Sequence, residues 1–134
     1  MAGLRWTALL ATLVVGAGCS LLFPTPSPAP FGRASWALDP AFPDPVPETT
    51  ELHILVWERA CSGGVQIVGR MAPPVIEYAA ATLTVTMRVR PLTGFQTCPL
   101  GPGTPALVHL AEPLGERTLL DGDGDPPAEP TAPF

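Results

Sequence analysis

The sequence predicts an all-β fold, a small sandwich or partial barrel of five or six short strands. Between Ala81 and Arg90, apolar residues alternate with threonine and arginine, which is the pattern of a strand with one buried face. The neighbouring segments are short, apolar and separated by glycine and proline, without the periodicity of a helix. Two cysteines, Cys61 and Cys98, flank this strand and favour a fold held by a disulfide.

Composition divides the 134-residue chain into four parts. Residues 1–23 have the composition of an export signal, and residues 24–47 form a proline-rich linker that we expect to be extended and stiff. We expect residues 48–120 to fold as one small β-domain and residues 121–134 to be a disordered acidic tail. A domain of about 70 residues buries a thin core, so a covalent cross-link should matter for its stability.

The N-terminal segment has the order of a secretory signal: one charge at Arg5, an apolar run over residues 8–15, and small residues before Cys19. The apolar run is shorter than the roughly 20 residues that a transmembrane helix needs. Residues 16–19, Gly-Ala-Gly-Cys, resemble the lipobox of bacterial lipoproteins, although Gly16 stands where that family usually has leucine.

The lipobox resemblance implies cleavage before Cys19, lipidation of its sulfur and acylation of the new amine. The membrane would then be a partner through the lipidated N-terminus, with the proline-rich segment as a stalk. The alternatives are a cleaved, freely secreted protein and an uncleaved anchor in which Cys19 is an apolar filler.

The domain contains several strand-like segments. Residues 51–58 are apolar on both faces, which is typical of a central strand. A hairpin is expected from residues 75–78 and 82–90, although the alanines between them are poor turn residues. Further short strands are predicted over residues 65–68, 106–110 and 117–120.

Cys61 and Cys98 are expected to pair in an oxidising compartment once Cys19 is used for the lipid. In the chain-entropy model, a bridge over this distance stabilises a fold by about 4 kcal/mol, against a total of roughly 5–15 kcal/mol. It would join the turn at residues 59–64 to the loop at residues 94–105. The rival interpretation is two free thiols.

Four sequence blocks resemble small, uncharacterised bacterial secreted proteins. These blocks are WERACSGG, TVTMRVRPL, GFQTCP and EPLGERTLLDG, and the resemblance spans residues 58–121, of which the blocks make up about half. The resemblance supports the disulfide and implies no chemistry.

Candidate metal ligands are few. His53 and His109 each lie on an expected strand and could bind zinc with Glu58 or Glu112, but no ligand spacing marks such a site. The run Asp-Gly-Asp-Gly-Asp at residues 121–125 is similar to the start of an EF-hand calcium loop, yet the required later glycine and glutamate are missing. We therefore expect two structural histidines and a flexible acidic tail.

Other constellations are weaker. Arg88, Arg90 and Arg117 could form an anion-binding face, although a solvated strand surface is the simpler interpretation. Glu58 and Glu77 could be imagined as a glycosidase pair, but surface acids are the default. We identify no catalytic residue set, no metal site and no cofactor, and the domain lacks the basic patch that a nucleic-acid partner requires.

The sequence therefore favours an exported, lipid-anchored β-module that is non-catalytic and binds an envelope or extracellular partner. The expected contact surface is the turn at residues 59–64 with the loop at residues 94–105, because loops on rigid scaffolds carry most binding sites. The alternative is a small extracytoplasmic hydrolase or metal-binding protein that uses His53 and His109. A purely mechanical spacer is a third possibility.

Overall fold

The computed structural model describes residues 30–133, and this range is built from strands and loops without a helix. The all-β class expected from the sequence is confirmed. The expected signal segment of residues 1–23, with Cys19, and residues 24–29 of the expected linker lie outside the described residues. None of residues 30–133 belongs to a helix capable of crossing a membrane. The six strands are β1 (Gly32–Leu38), β2 (Glu51–Glu58), β3 (Val75–Tyr78), β4 (Thr82–Val89), β5 (Thr104–His109) and β6 (Thr118–Asp121).

The strands form one curled sheet, a half-barrel, in the order β3-β4-β1-β2-β5. Neighbours along this path are antiparallel, whereas β6 pairs with β4 in parallel. β1 pairs with residues 87–89 of β4, and β6 pairs with residues 82–85, so both lie along the same side of β4. β4, whose alternation first indicated the fold, therefore joins three other strands.

The core lies on the concave side of the sheet. The apolar residues of β4 are all buried there, as their alternation predicts. Trp36 is completely buried, and its indole Nε1 donates a hydrogen bond to the carbonyl of Val85 at 2.8 Å, which satisfies its one polar atom. The other large side chains of the core are Leu52, Ile54, Val56, Ile67, Leu83, Val85, Met87, Val89, Val108, Leu110 and Leu114.

The expectation of a linker over residues 24–47 is wrong for the second half of that range. β1 lies there and is an inner strand of the sheet, between β4 and β2. Ala34 and Trp36 are buried, and the segment from Phe31 to Asp39 contains no proline, so its backbone N–H groups are free to pair. The domain therefore begins some 16 residues before the expected boundary at Glu48.

The expectation of a disordered acidic tail from residue 121 is also wrong for the first residues of that range. Asp121 ends β6, its side chain and that of Asp123 are buried, and its backbone exchanges two hydrogen bonds with Ala128. The N–H of Gly122 donates to the carbonyl of Val85 at 3.0 Å. The first residues of the tail are thus part of the folded domain.

Residues 65–68 do not form the expected strand. Gly64 and Gly69, on either side, both have positive φ angles, of 72° and 73°, so the chain turns at each end. Only Ile67 of this segment is buried. The apolar composition therefore reflects a loop that anchors one side chain in the core.

Candidate functional site

The expected disulfide between Cys61 and Cys98 is present, with the two Cα atoms 4.3 Å apart. It joins the turn after β2 to the long loop before β5. The same two loops are held by a hydrogen bond from the N–H of Gly63 to the carbonyl of Thr97 at 2.9 Å. Gly101 packs so closely on the backbone of Gly64 that any Cβ atom at position 101 would collide with it. The sequence prediction that the bridge brings these loops together is confirmed.

A groove of about 220 Å³ lies between the joined loops. One wall is the turn at residues 59–62, and the other is the loop at residues 98–102. Trp57 and Glu58 at the end of β2 also line it. We call this feature the disulfide groove.

Large apolar side chains are exposed on the loops around the disulfide groove. Val65 and Leu100 line it and are each more than half exposed. Phe95, in the loop that Cys98 tethers, is 94% exposed. An aromatic side chain held in water on a constrained loop is a feature of contact surfaces, where it becomes buried by a partner.

Glu58 is not free to act as a metal ligand or as one of a glycosidase pair. Its side chain is buried, and its Oε2 accepts a hydrogen bond from Nη2 of Arg70 at 2.7 Å. The same guanidinium donates through Nη1 to the carbonyl of Arg90 at 2.7 Å. Glu77, the other carboxylate considered, is exposed on the edge strand β3.

Each of the two histidines contacts a neighbouring side chain on the outer face of the sheet. The ring of His53 stacks on Phe42, with centroids 3.7 Å apart and planes within 4°. Nδ1 of His109 lies 3.2 Å from Oε1 of Glu51, its cross-strand neighbour. Within residues 30–133, no three histidine, cysteine or acidic side chains come together in a way that could hold a metal.

Asp121 lies where β1, β4 and β6 meet. Its Oδ2 accepts a hydrogen bond from the backbone N–H of Trp36 at 3.1 Å, and its Oδ1 accepts one from the N–H of Asp123 at 2.9 Å. Burial raises the pKa of Asp121, and the hydrogen bonds from Asp123 and Trp36 oppose that rise. At Trp36, β1 has separated from β4, and the Asp121 carboxylate accepts the backbone hydrogen bond in place of a β4 carbonyl.

Asp123 lies beneath three arginines. Its Oδ1 accepts from Nε of Arg33 at 2.9 Å, and its Oδ2 accepts from Nε of Arg59 at 2.7 Å. Nη1 of Arg88 is 3.9 Å from Oδ1. The sequence allowed Arg88, Arg90 and Arg117 to form an anion-binding face, with a solvated strand surface as the simpler interpretation, and Arg117 does not lie with Arg88. Arg117 instead pairs with Glu112 and lies over the ring of Tyr78.

The buried carboxylates were missed because an acidic segment rich in glycine and proline is usually solvated. One local feature nevertheless indicates that the chain is packed here, namely Gly122, which lies between Asp121 and Asp123. A side chain at Gly122 would collide with Thr86, so only glycine allows the chain to pass here while Asp121 and Asp123 point inward.

Comparisons of the chain with protein-family models, with curated proteins and with solved structures find no match. The functional interpretation therefore depends on the geometry of the domain and on the sequence features of the N-terminal segment.

Proposed function

We propose that the chain is an exported protein, anchored to the membrane through a lipid on Cys19, whose β-domain is a non-catalytic binding module. Its partner is a protein of the cell envelope, which it contacts at the disulfide groove. The observation that carries the proposal is the disulfide itself, because it fixes two exposed loops into one surface. The same bridge is compatible with a location outside the cytoplasm, where such bonds persist.

The size and lining of the disulfide groove favour a protein partner over a small molecule. Its volume of about 220 Å³ is below the roughly 300–1,000 Å³ of typical small-molecule sites. The exposed apolar side chains Phe95, Leu100 and Val65 lie on its loops. A small groove beside an exposed aromatic residue resembles the contact regions of protein–protein complexes, where aromatic side chains are enriched.

The alternative of a hydrolase or metal-binding protein that uses His53 and His109 receives no support from the contacts of these residues. The stacking of His53 on Phe42 covers one face of its ring, and His109 has a single carboxylate neighbour, Glu51. A catalytic or structural zinc needs three or four ligands.

The proposal is tested by photo-crosslinking in cells. A benzophenone side chain is introduced in place of Phe95 or Leu100, and envelopes are isolated after irradiation. We expect one discrete adduct from each position, because both side chains would be covered by the partner. The matched control is Val46, which is 55% exposed where Leu100 is 57% exposed and lies outside the groove.

The control position should give no adduct, and the adducts at positions 95 and 100 should be lost when both Cys61 and Cys98 are replaced by alanine. Equal labelling at Val46, or no labelling at position 95 and position 100, would contradict the proposal.

A further inference from the structure

Three arginines form a row across neighbouring strands on the outer face of the sheet. Arg33 of β1 is the direct cross-strand partner of Arg88 on β4. Arg59 follows β2, and its backbone N–H donates to the carbonyl of Arg33 at 3.0 Å. Like charges directly opposite each other destabilise a sheet. We call Arg33, Arg59 and Arg88 the arginine row. The repulsion between their positive charges requires a compensating interaction with a negative group.

Asp123 provides part of that compensation. Its side chain is only 1% exposed, and its two carboxylate oxygens accept from the Nε atoms of Arg33 and Arg59. Nη2 of Arg33 also donates to the carbonyl of Asp123 at 2.6 Å. Arg88, at 3.9 Å from the carboxylate, lies beyond hydrogen-bonding distance. One carboxylate therefore satisfies two of the three guanidinium groups.

The row retains unused donors and positive charge. The side chains of Arg33, Arg59 and Arg88 are 60%, 52% and 39% exposed. Nη1 of Arg88 has no hydrogen-bond acceptor in the described part of the chain, although the atom is buried. Over residues 30–133, Asp123 is the only ion-pair partner of the row. Glu129, which lines a neighbouring cavity with Arg59, makes no ion pair with it.

Burial of Asp123 also fixes the geometry of the row. Arg33 and Arg59 are held through their Nε atoms, so little side-chain freedom remains to be lost when their terminal N–H groups bind a ligand. Three guanidinium groups that lie around one carboxylate suit a tetrahedral oxyanion, which offers several acceptor oxygens in different directions.

We propose that Arg33, Arg59 and Arg88 bind a phosphate group on the outer face of the sheet, with Asp123 as the positioning residue beneath them. The phosphate belongs either to a small phosphorylated compound or to the headgroup of an anionic lipid. This site is separate from the proposed partner contact at the disulfide groove, and it does not depend on that contact.

The test compares Arg88→Gln with Arg90→Gln in the full chain carrying Cys19→Ser. Arg90 is exposed, follows directly after β4 and does not belong to the row. Each of the two variants loses one positive charge. Inorganic pyrophosphate is titrated into each protein while the arginine Nε–H signals are followed by NMR. We expect the signals of Arg33, Arg59 and Arg88 to shift. Arg88→Gln should weaken binding by roughly tenfold or more, and Arg90→Gln by less than about twofold.

A second arm distinguishes the two sources of phosphate. The same proteins are sedimented with vesicles of phosphatidylcholine alone or mixed with phosphatidylglycerol. Binding of pyrophosphate alone identifies a small phosphorylated compound. Additional binding to the phosphatidylglycerol vesicles that Arg88→Gln loses and Arg90→Gln keeps identifies a lipid headgroup.

Failure of both ligands to bind, or an equal loss in the two variants, would overturn the proposal. If Arg88→Gln does not fold, Arg88→Lys replaces it, because lysine keeps the charge and removes the planar fork. Its binding should still fall by several-fold, and unchanged binding would again overturn the proposal.

Discussion

The carboxylate of Asp121 accepts a hydrogen bond from the backbone N–H of Trp36 at 3.1 Å, although the two residues are 85 positions apart. The contact joins the last strand of the domain to its first. At this point β1 has separated from β4, so the N–H of Trp36 has no strand partner on that side. The carboxylate therefore completes the sheet at the place where its hydrogen-bond ladder is interrupted.

We predict that Asp121→Ala lowers the free energy of unfolding by about 2–4 kcal/mol, because the buried N–H groups of Trp36 and Asp123 both lose their acceptor. Urea unfolding followed by tryptophan fluorescence measures this loss. Asp44→Ala, at an exposed position, is the control and should change stability by less than about 0.5 kcal/mol. Equal stability of the two variants would show that the contact contributes nothing.

The raised pKa of Asp121 predicts a specific pH dependence. Burial sets the pKa of this carboxyl above 3.8, its value in the unfolded chain, so the folded state binds more protons between the two values. The resulting stabilisation is complete below 3.8 and is lost as the pH rises through the raised pKa. Asp121→Asn cannot titrate. The difference in unfolding free energy, natural chain minus variant, should therefore decrease with rising pH in the acidic range and then become constant. A difference that increases with pH would contradict this assignment.

Loss of the disulfide should destabilise the domain strongly. Cys61 and Cys98 are separated by 37 positions, and the entropy of closing such a loop corresponds to about 4 kcal/mol. A chain in which both are replaced by alanine should lose about this amount in urea unfolding. Adding a reductant should reproduce the loss in the natural chain and have no effect on the double variant. A double variant as stable as the natural chain would show that the bridge is dispensable.

The position of β1 predicts that the domain cannot begin at residue 48. β1 lies between β4 and β2, and its Trp36 fills the core. A fragment of residues 48–134 should therefore show no cooperative thermal transition by circular dichroism, whereas residues 30–134 should unfold cooperatively. Cooperative unfolding of the shorter fragment would mean that β1 is not required.

Alternation of apolar and polar residues was sufficient to predict β4, whose four apolar side chains are all buried. A nearly continuous apolar run was sufficient to predict β2, which lies inside the sheet. β1 was missed, although Ala34, Trp36 and Leu38 alternate with more polar or smaller residues. The prolines on both sides of this segment favoured an extended linker over a strand, and the alternation was too weak to indicate otherwise. Residues 65–68 were read as a strand because apolar composition alone does not distinguish a strand from a loop that buries one side chain.

The candidate sites differed in how far the sequence could predict them. The disulfide groove follows from two cysteines and two loops, all of which local composition identifies. The arginine row depends on the register of β1 against β4 and on the return of residues 121–123 to the sheet. Such long-range pairing leaves no trace in the sequence around Arg33 or Asp123. No pattern in the separate segments could therefore have assigned these residues to one site.

The state of the three cysteines in protein isolated from cells tests most directly the proposal that this domain works outside the cytoplasm. Non-reducing peptide mass spectrometry of the membrane fraction should find Cys61 joined to Cys98 and an N-terminal peptide that begins at lipidated Cys19. Recovery of all three cysteines as free, unmodified thiols, in a chain that has not been cleaved before Cys19, would contradict it.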